Sequence, residues 1–341
     1  MTSPSPLPDF IEFHNTPAPE PSPAGSGWIL PRYPRSAYNT FDSPGFLTAQ
    51  ESTGVELRFV TQARHLRVFV TALTQDSEVA VFKGDFHHLV QKIPQGSVQC
   101  IHLTPPDLYD RVQPEALRHR FHPDVWRVVF DRGTMVFNGI DTFGAPIRKP
   151  LPEEKPALRW LAYGSSITHS TRNGYAHRAA ALLRVDVQNK GQSGSCYIDR
   201  AAADYIATEA EWDFATCELG INMRGTFEPA AFAVRARHLV TRCTTAKPGR
   251  PLVLITLFRN AAHHLIEPDA ATAKQNAFNQ ILRELAAEFA DRHVHLIEGT
   301  DIVDDLSCLT SDLLHPTEYG QGRMAENLAR HLQPLIASLS P

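Results

Sequence analysis

Residues 159–189 read RWLAYGSSITHSTRNGYAHRAAALLRVDVQN, and the architecture turns on them. An apolar, strand-like run at 159–163 stops at Gly164-Ser165-Ser166-Ile167-Thr168. A helix-length segment at 175–183 follows, then a second β-rich run at 185–189. Strand, turn, helix and strand in so short a stretch are the parts of a βαβ unit. The same alternation runs on through 198–208, 214–219, 229–243, 252–257, 270–290 and 294–298. A last helix is predicted from about 317 to 332, with Pro334 expected to stop it. Within 270–290, Phe278, Ile281, Leu282, Leu285 and Phe289 recur at three- and four-residue steps, while Arg283, Glu284 and Glu288 fall elsewhere on the wheel. Residues 151–341 are therefore expected to form a parallel sheet with helices on both faces, a three-layer α/β/α domain.

Toward the N-terminus the periodicity changes. Short β-rich runs at 55–59, 66–72, 79–82, 98–103, 126–130 and 135–140 alternate with turns, and no useful helix precedes residue 150. This spacing predicts an antiparallel β-sandwich over 28–150. Asp131-Arg132-Gly133-Thr134 reads as a hairpin turn, with Gly133 free to take positive φ. GAPIRKPLPEEKP at 144–156 packs four prolines and five charges between the two patterns and marks the domain boundary. Residues 1–27, with Pro4, Pro6, Pro8, Pro17, Pro19, Pro21 and Pro23, read as an extended arm, because proline removes the donors that ladders and helices need.

Lys plus Arg total 33 against 37 Asp plus Glu, a formal net charge of -4, so no basic excess exists to cover a phosphate backbone and no nucleic-acid partner is expected. No basic run followed by an apolar leader opens the chain, and no stretch approaches the roughly 18 apolar residues of a membrane span. Cys100, Cys196, Cys217, Cys243 and Cys308 are scattered, without a CxxC pair, which fits a reducing cytoplasm better than a disulfide framework or a structural zinc site. The neighbouring pairs His87-His88 and His263-His264 point their rings apart on a strand or a helix and lack ligand-spaced partners, so no metal is expected. Composition leaves a homo-oligomer open.

In open parallel sheets ligands sit beyond the carboxyl ends of the strands. Four of the loops there carry reactive types: Gly164–Thr168, Gly191-Gln192-Ser193-Gly194, Gly220-Ile221-Asn222-Met223 and Asp312-Leu313-Leu314-His315-Pro316. Together they offer a hydroxyl, a glycine N–H, an amide side chain and a carboxylate–imidazole pair, the parts that acyl transfer requires. Ser166 alone would read as a helix N-cap; its place between strand and helix exposes Oγ and aims helix N–H groups at a developing oxyanion. The three-residue step from Asp312 to His315 lets the carboxylate reach Nδ1–H and leave Nε2 as the base. Cys196 reads as a small buried residue, and Arg224 either as a surface arginine or as a contact to a polar substrate.

Residues 157–341 resemble the SGNH (GDSL) hydrolase superfamily, whose four blocks contribute Ser, Gly, Asn and His in that chain order. The resemblance implies a flavodoxin-like hydrolase domain with Ser166 as nucleophile, Gly194 and Asn222 completing an oxyanion hole with the Ser166 N–H, and Asp312 with His315 as the DxxH pair. Ser165 stands where the GDS motif has Asp, and Met223 where the GxND block has Asp. GSSIT is similar to the branch that carries an N-terminal, jelly-roll-like sandwich, and Pro106-Asp107-Leu108-Tyr109 to that branch's GxDLY motif without its glycine. That branch includes carbohydrate esterases. The expectation is a serine esterase removing short acyl groups, above all acetyl, from a sugar, oligosaccharide or other small ester, with no metal or organic cofactor. The alternatives are a lipase, thioesterase or aryl esterase acting on longer or non-carbohydrate acyl chains, and a glycan-binding protein with a degenerate hydrolase domain.

Overall fold

The computed structural model describes residues 6–23, 26–170 and 172–339. Met1–Ser5, including Pro4 of the predicted arm, lie outside them, as do Ala24 and Gly25. The chain divides into two compact units: residues up to Pro34 with Gln50–Ala157, and Arg35–Ala49 with the residues from Leu158 onward.

The first unit is built from two antiparallel sheets. One runs Glu12–His14, Glu56–Thr61, Val125–Phe130, Ser77–Lys83, Phe86–Ile93, and Ile147–Arg148 also pairs with Glu56–Thr61. The other runs Glu20–Pro21, Trp28–Ile29, Met135–Asp141, Leu66–Ala72, Val98–Leu103. Alternate residues point into one shared core: Leu57 and Phe59, Val79 and Val81, Trp126, Val128 and Phe130 meet Val68, Val70, Ile101, Leu103, Met135 and Phe137. Period two along each strand places every second side chain inside.

Two local expectations are corrected here. Asp131–Thr134 does not close a hairpin, because Val125–Phe130 and Met135–Asp141 belong to different sheets. The turn is a corner from one layer to the other, with Gly133 at φ +89°. A tight hairpin instead joins Ser77–Lys83 to Phe86–Ile93 through Gly84-Asp85, with Gly84 at φ +60°. Finally, the proline-rich arm contributes two short strands, Glu12–His14 and Glu20–Pro21, at sheet edges where a missing N–H is tolerated.

The second unit alternates β1 (Arg159–Tyr163), α1 (Tyr175–Leu183), β2 (Asp186–Asn189), α2 (Arg200–Thr208), β3 (Phe214–Glu218), α3 (Pro229–Ala246), β4 (Leu252–Ile255), α4 (Ala270–Glu288), β5 (Val294–Ile297) and α5 (Glu318–Ala337). All five strands are parallel, in the order β2-β1-β3-β4-β5. Burial on both faces explains why the inner strands β1, β3 and β4 are mostly apolar, whereas the edge strand β2, Asp186-Val187-Gln188-Asn189, is not. On one face Trp160, Ala162, Val253 and Ile255 pack with Tyr175, Ala176 and Ala179 of α1 and with Met324, Ala325 and Leu328 of α5. Phe232 of α3 stacks on Phe278 of α4, ring centroids 4.2 Å apart. Pro334 does not stop α5, which continues to Ala337. Proline there forfeits one hydrogen bond near the helix end, and the buried Leu332 and Ile336 on either side hold the last turn in place.

Residues 35–49, expected within the sandwich, pack with the second unit. Asp199, at the start of α2, is their anchor. Its Oδ2 accepts the Ser43 hydroxyl at 2.6 Å and its Oδ1 the Asp42 N–H at 3.0 Å. Thr48 Oγ1 lies 3.2 Å from Ser195 Oγ. Burial, aided by the neighbouring Asp42, pushes the Asp199 carboxyl up to about 7. Among the described residues no helix is long and apolar enough to cross a membrane.

Candidate active site

The strand order reverses direction between β1 and β3, the place where open α/β sheets open a crevice at their carboxyl edge. The loop after β1 makes the sharpest turn. A side chain at Gly164 would run into Thr168 Oγ1 and Glu218 Oε2, so glycine is required. Ser165 pins the turn. Its N–H donates to Glu218 Oε2 at 2.7 Å, its Oγ accepts the Ile167 N–H at 3.3 Å, and its carbonyl accepts the His169 N–H at 2.8 Å. Ser165 is fully buried and Ser166 is half-buried, so the two neighbours divide the labour. Ser166 Oγ lies 2.9 Å from His315 Nε2.

His315 is held from its other side. Its Nδ1 lies 2.7 Å from Asp312 Oδ2. Asp312 Oδ1 accepts the Thr310 hydroxyl at 2.7 Å and the N–H groups of Leu314 and His315, each at 2.9 Å. The Thr310 hydroxyl, followed by His315, holds the Asp312 carboxyl well below the usual carboxylate range, so it is an anion. Leu313, between them, adopts φ +51°, and its carbonyl is fastened by the Ala261 N–H at 2.9 Å. A leucine in the left-handed region is strained, and such strain persists only where surrounding bonds over-determine the backbone.

Gly194 follows β2 and Asn222 follows β3, the two strands that flank β1. Gly194 sits at φ +68° with open space where a side chain would be. Asn222 Oδ1 accepts the Cys196 N–H at 3.1 Å, which ties the two loops together and fixes the amide so that Nδ2 is its remaining donor. Three donors from three adjacent loops, the N–H of Ser166, the N–H of Gly194 and Asn222 Nδ2, meet no acceptor among the described residues. Cys196 is buried, and burial raises its thiol far above the usual range, so it is inert. Met223, in the place of the motif aspartate, is fully buried.

One residue of this region escaped the sequence reading. Glu218, the last residue of β3, is buried beneath the serine turn and bonds Ser165 N–H and, at 3.2 Å, the Thr168 hydroxyl through Oε2, while Oε1 has no partner among the described residues. Burial pushes its carboxyl up to about 7. The available signal was a lone charge ending the otherwise uncharged β-run FATCE.

A parallel 2-1-3-4-5 sheet covered by helices, preceded by a two-sheet β unit, defines an SGNH-like α/β hydrolase architecture with an N-terminal sandwich. Residues 162–323 match the GDSL-like lipase/acylhydrolase family, so this part of the chain is a GDSL-like acylhydrolase domain and the protein an ester hydrolase. No curated protein matches the sequence. Among solved structures the chain is similar to the salicylyl-acyltransferase SsfX3 from a tetracycline biosynthetic pathway, at 14% identity and TM-score 0.76, covering 97% of this chain and 96% of that one. It is also similar to a family two carbohydrate esterase from Clostridium thermocellum in complex with cellohexaose, at 13% identity and TM-score 0.63, covering 96% and 99%. A family two carbohydrate esterase from Cellvibrio japonicus gives 14% identity and TM-score 0.63, covering 98% and 97%. At these identities the likeness is one of fold.

Proposed function

We propose that the protein is a serine esterase that removes short acyl groups, acetyl first among them, from carbohydrate or other small alcohols. Ser166 Oγ attacks the ester carbonyl as His315 Nε2 takes its proton, and the same imidazolium returns that proton to the leaving alcohol. Asp312 holds the ring in the tautomer that leaves Nε2 free and balances its charge. The N–H groups of Ser166 and Gly194 and Asn222 Nδ2 bind the oxyanion, which carries charge only in the tetrahedral state. Water then releases the acyl group from Ser166. The observation that carries this reading is the unbroken relay of 2.9 Å from Ser166 to His315 and 2.7 Å from His315 to Asp312. The carbohydrate alcohol rests on likeness of fold to the family two esterases.

A second reading, transfer of the acyl group to an alcohol other than water, is supported by likeness of fold to the salicylyl-acyltransferase over both units. A p-nitrophenyl ester series, run with and without an added sugar or phenolic acceptor, separates the two. Free acid with a preference for acetate fits the hydrolase, an acylated acceptor fits the transferase, and absence of turnover with every ester sinks both.

A further inference from the structure

Two loops beside the relay gather positive charge without neutralising it. Arg224 lies two residues after Asn222 in the turn where the Gly220 carbonyl accepts the N–H groups of Met223 and Arg224, at 2.9 and 3.0 Å. Its guanidinium reaches across to the loop after β4. There one terminal nitrogen, Nη1, donates to Asn260 Oδ1 at 3.0 Å and to Gln275 Oε1 at 2.6 Å. The residue after Asn260, Ala261, is the one that fastens the Leu313 carbonyl of the His315 turn. Arg224 is therefore bracketed between the Asn222 loop and the Asp312–His315 turn.

The anchoring is one-sided. Both Nη1 hydrogens are spent on neutral amide oxygens, whereas Nε and Nη2 donate to no acceptor among the described residues. That edge is the planar fork whose spacing matches the two oxygens of a carboxylate. No carboxylate forms an ion pair with Arg224 among the described residues. Asp269, the acid that acts on it from a distance, is occupied in capping α4, its Oδ1 accepting the Thr272 N–H and hydroxyl at 2.8 Å each. Arg259 from the β4 loop is likewise satisfied by neutral carbonyls, Val303 at 2.9 Å and Thr300 at 3.4 Å. Burial, followed by the charges of Arg259, His264 and Arg224, pushes His263 below its ordinary value, which places all four groups in one neighbourhood. In a chain of net charge -4, a half-buried guanidinium held by amides with its fork open is a costly arrangement for structure alone.

We propose that the Nε–Nη2 edge of Arg224 binds a carboxylate carried by the ester substrate, so that the enzyme selects anionic esters. The inference rests on the Ser166 reading above and refines it. Two substrate pairs test it and locate the charge: p-nitrophenyl butyrate against mono-p-nitrophenyl succinate for the acyl half, and O-acetyl-galactose against O-acetyl-galacturonic acid for the alcohol half. In one pair the anionic member should have the higher kcat/KM at low ionic strength, and Arg224→Gln should lower that anionic-to-neutral ratio by about tenfold or more. Arg224→Lys, which keeps the charge but loses the fork, should restore the ratio only in part.

Indifference to charge in both pairs would overturn the proposal. So would an Arg224→Gln variant that slows both members of each pair alike, since that is the mark of a structural role. Wild-type protein supplies an arm that no folding defect can obscure: succinate should competitively inhibit p-nitrophenyl acetate hydrolysis, more weakly as salt rises, and absence of inhibition counts against the fork. Ser166→Ala on the neutral esters keeps the two readings apart. Turnover surviving there removes the esterase site itself, whereas its loss together with charge indifference removes the Arg224 site alone.

Discussion

Asp312 and Glu218 both serve the Ser166 turn, one through His315 and the other through the Ser165 N–H, and they do so from contrasting environments. Asp312 is half-exposed and accepts four hydrogen bonds, from Thr310, Leu314 and both the N–H and the ring of His315. Glu218 is fully buried, uses one oxygen twice and leaves the other without a partner among the described residues. The first is held as an anion, and the second is pushed up to about 7. The difference follows from solvation and donor count rather than from carboxyl chemistry, which is nearly the same in Asp and Glu. An anion beside His315 steadies an imidazolium. A carboxyl under the serine that stays largely protonated below about pH 7 can hold the turn while setting little negative charge against the oxyanion.

The largest effect should come from removing what Asp312 serves. Ser166→Ala and His315→Ala should each lower kcat by a factor on the order of 10³ or more with folding intact, measured on p-nitrophenyl acetate. Ser165→Ala is the paired control; if it were dead while Ser166→Ala stayed active, the division of labour between the two serines would be wrong. Asn222→Ala comes next, with kcat down about 10²- to 10³-fold and KM little changed, because its donor meets charge that exists only in the transition state. A rise in KM at constant kcat would reassign Asn222 to substrate binding.

The comparison itself is probed by neutralising each acid. Asp312→Asn should cost less than His315→Ala, since a loosely held imidazole still accepts a proton, yet more kcat than Glu218→Gln, which keeps a carbonyl oxygen for the Ser165 N–H. Equal losses would erase the proposed contrast. The smallest effect is thermodynamic. Glu218 is raised in the folded state from 4.5 to about 7, so the folded protein holds a proton that the unfolded chain has released. Its contribution to stability is complete below pH 4.5 and is lost as pH rises toward about 7. The melting temperature of Glu218→Gln should therefore fall less over that window than wild type's, and identical slopes would mean that Glu218 does not titrate there.

Much of this was legible in the sequence because local rules and global fold agree. The βαβ alternation, the turn after β1 and the Asp312–His315 step each depend on neighbours within a few residues. What escaped depends on distant partners. Phe86–Ile93 was missed as a strand because FHHLVQKI sits at a sheet edge and is largely exposed, with no apolar alternation to announce it. Glycine at 133 correctly signalled positive φ, but a local turn rule cannot tell a hairpin from a corner between sheets. Glu218 is explained by the turn above it, 53 residues earlier in the chain. Arg224 was ambiguous because the amides that orient it, Asn260 and Gln275, stand 36 and 51 residues away.

The placement of residues 35–49 has a consequence for biosynthesis. During translation this segment is made before almost all of the sandwich, yet the Asp42 and Ser43 contacts with Asp199 span 157 and 156 positions. It must therefore wait, unpartnered, while an entire sandwich emerges from the ribosome, and closing so long a loop is entropically slow. The carboxyl half of the chain cannot complete itself alone. A fragment cut at the 157/158 junction would lack the piece that braces the loop bearing Gly194, and docking that piece late makes it a candidate for the final step in maturation of the hydrolase unit.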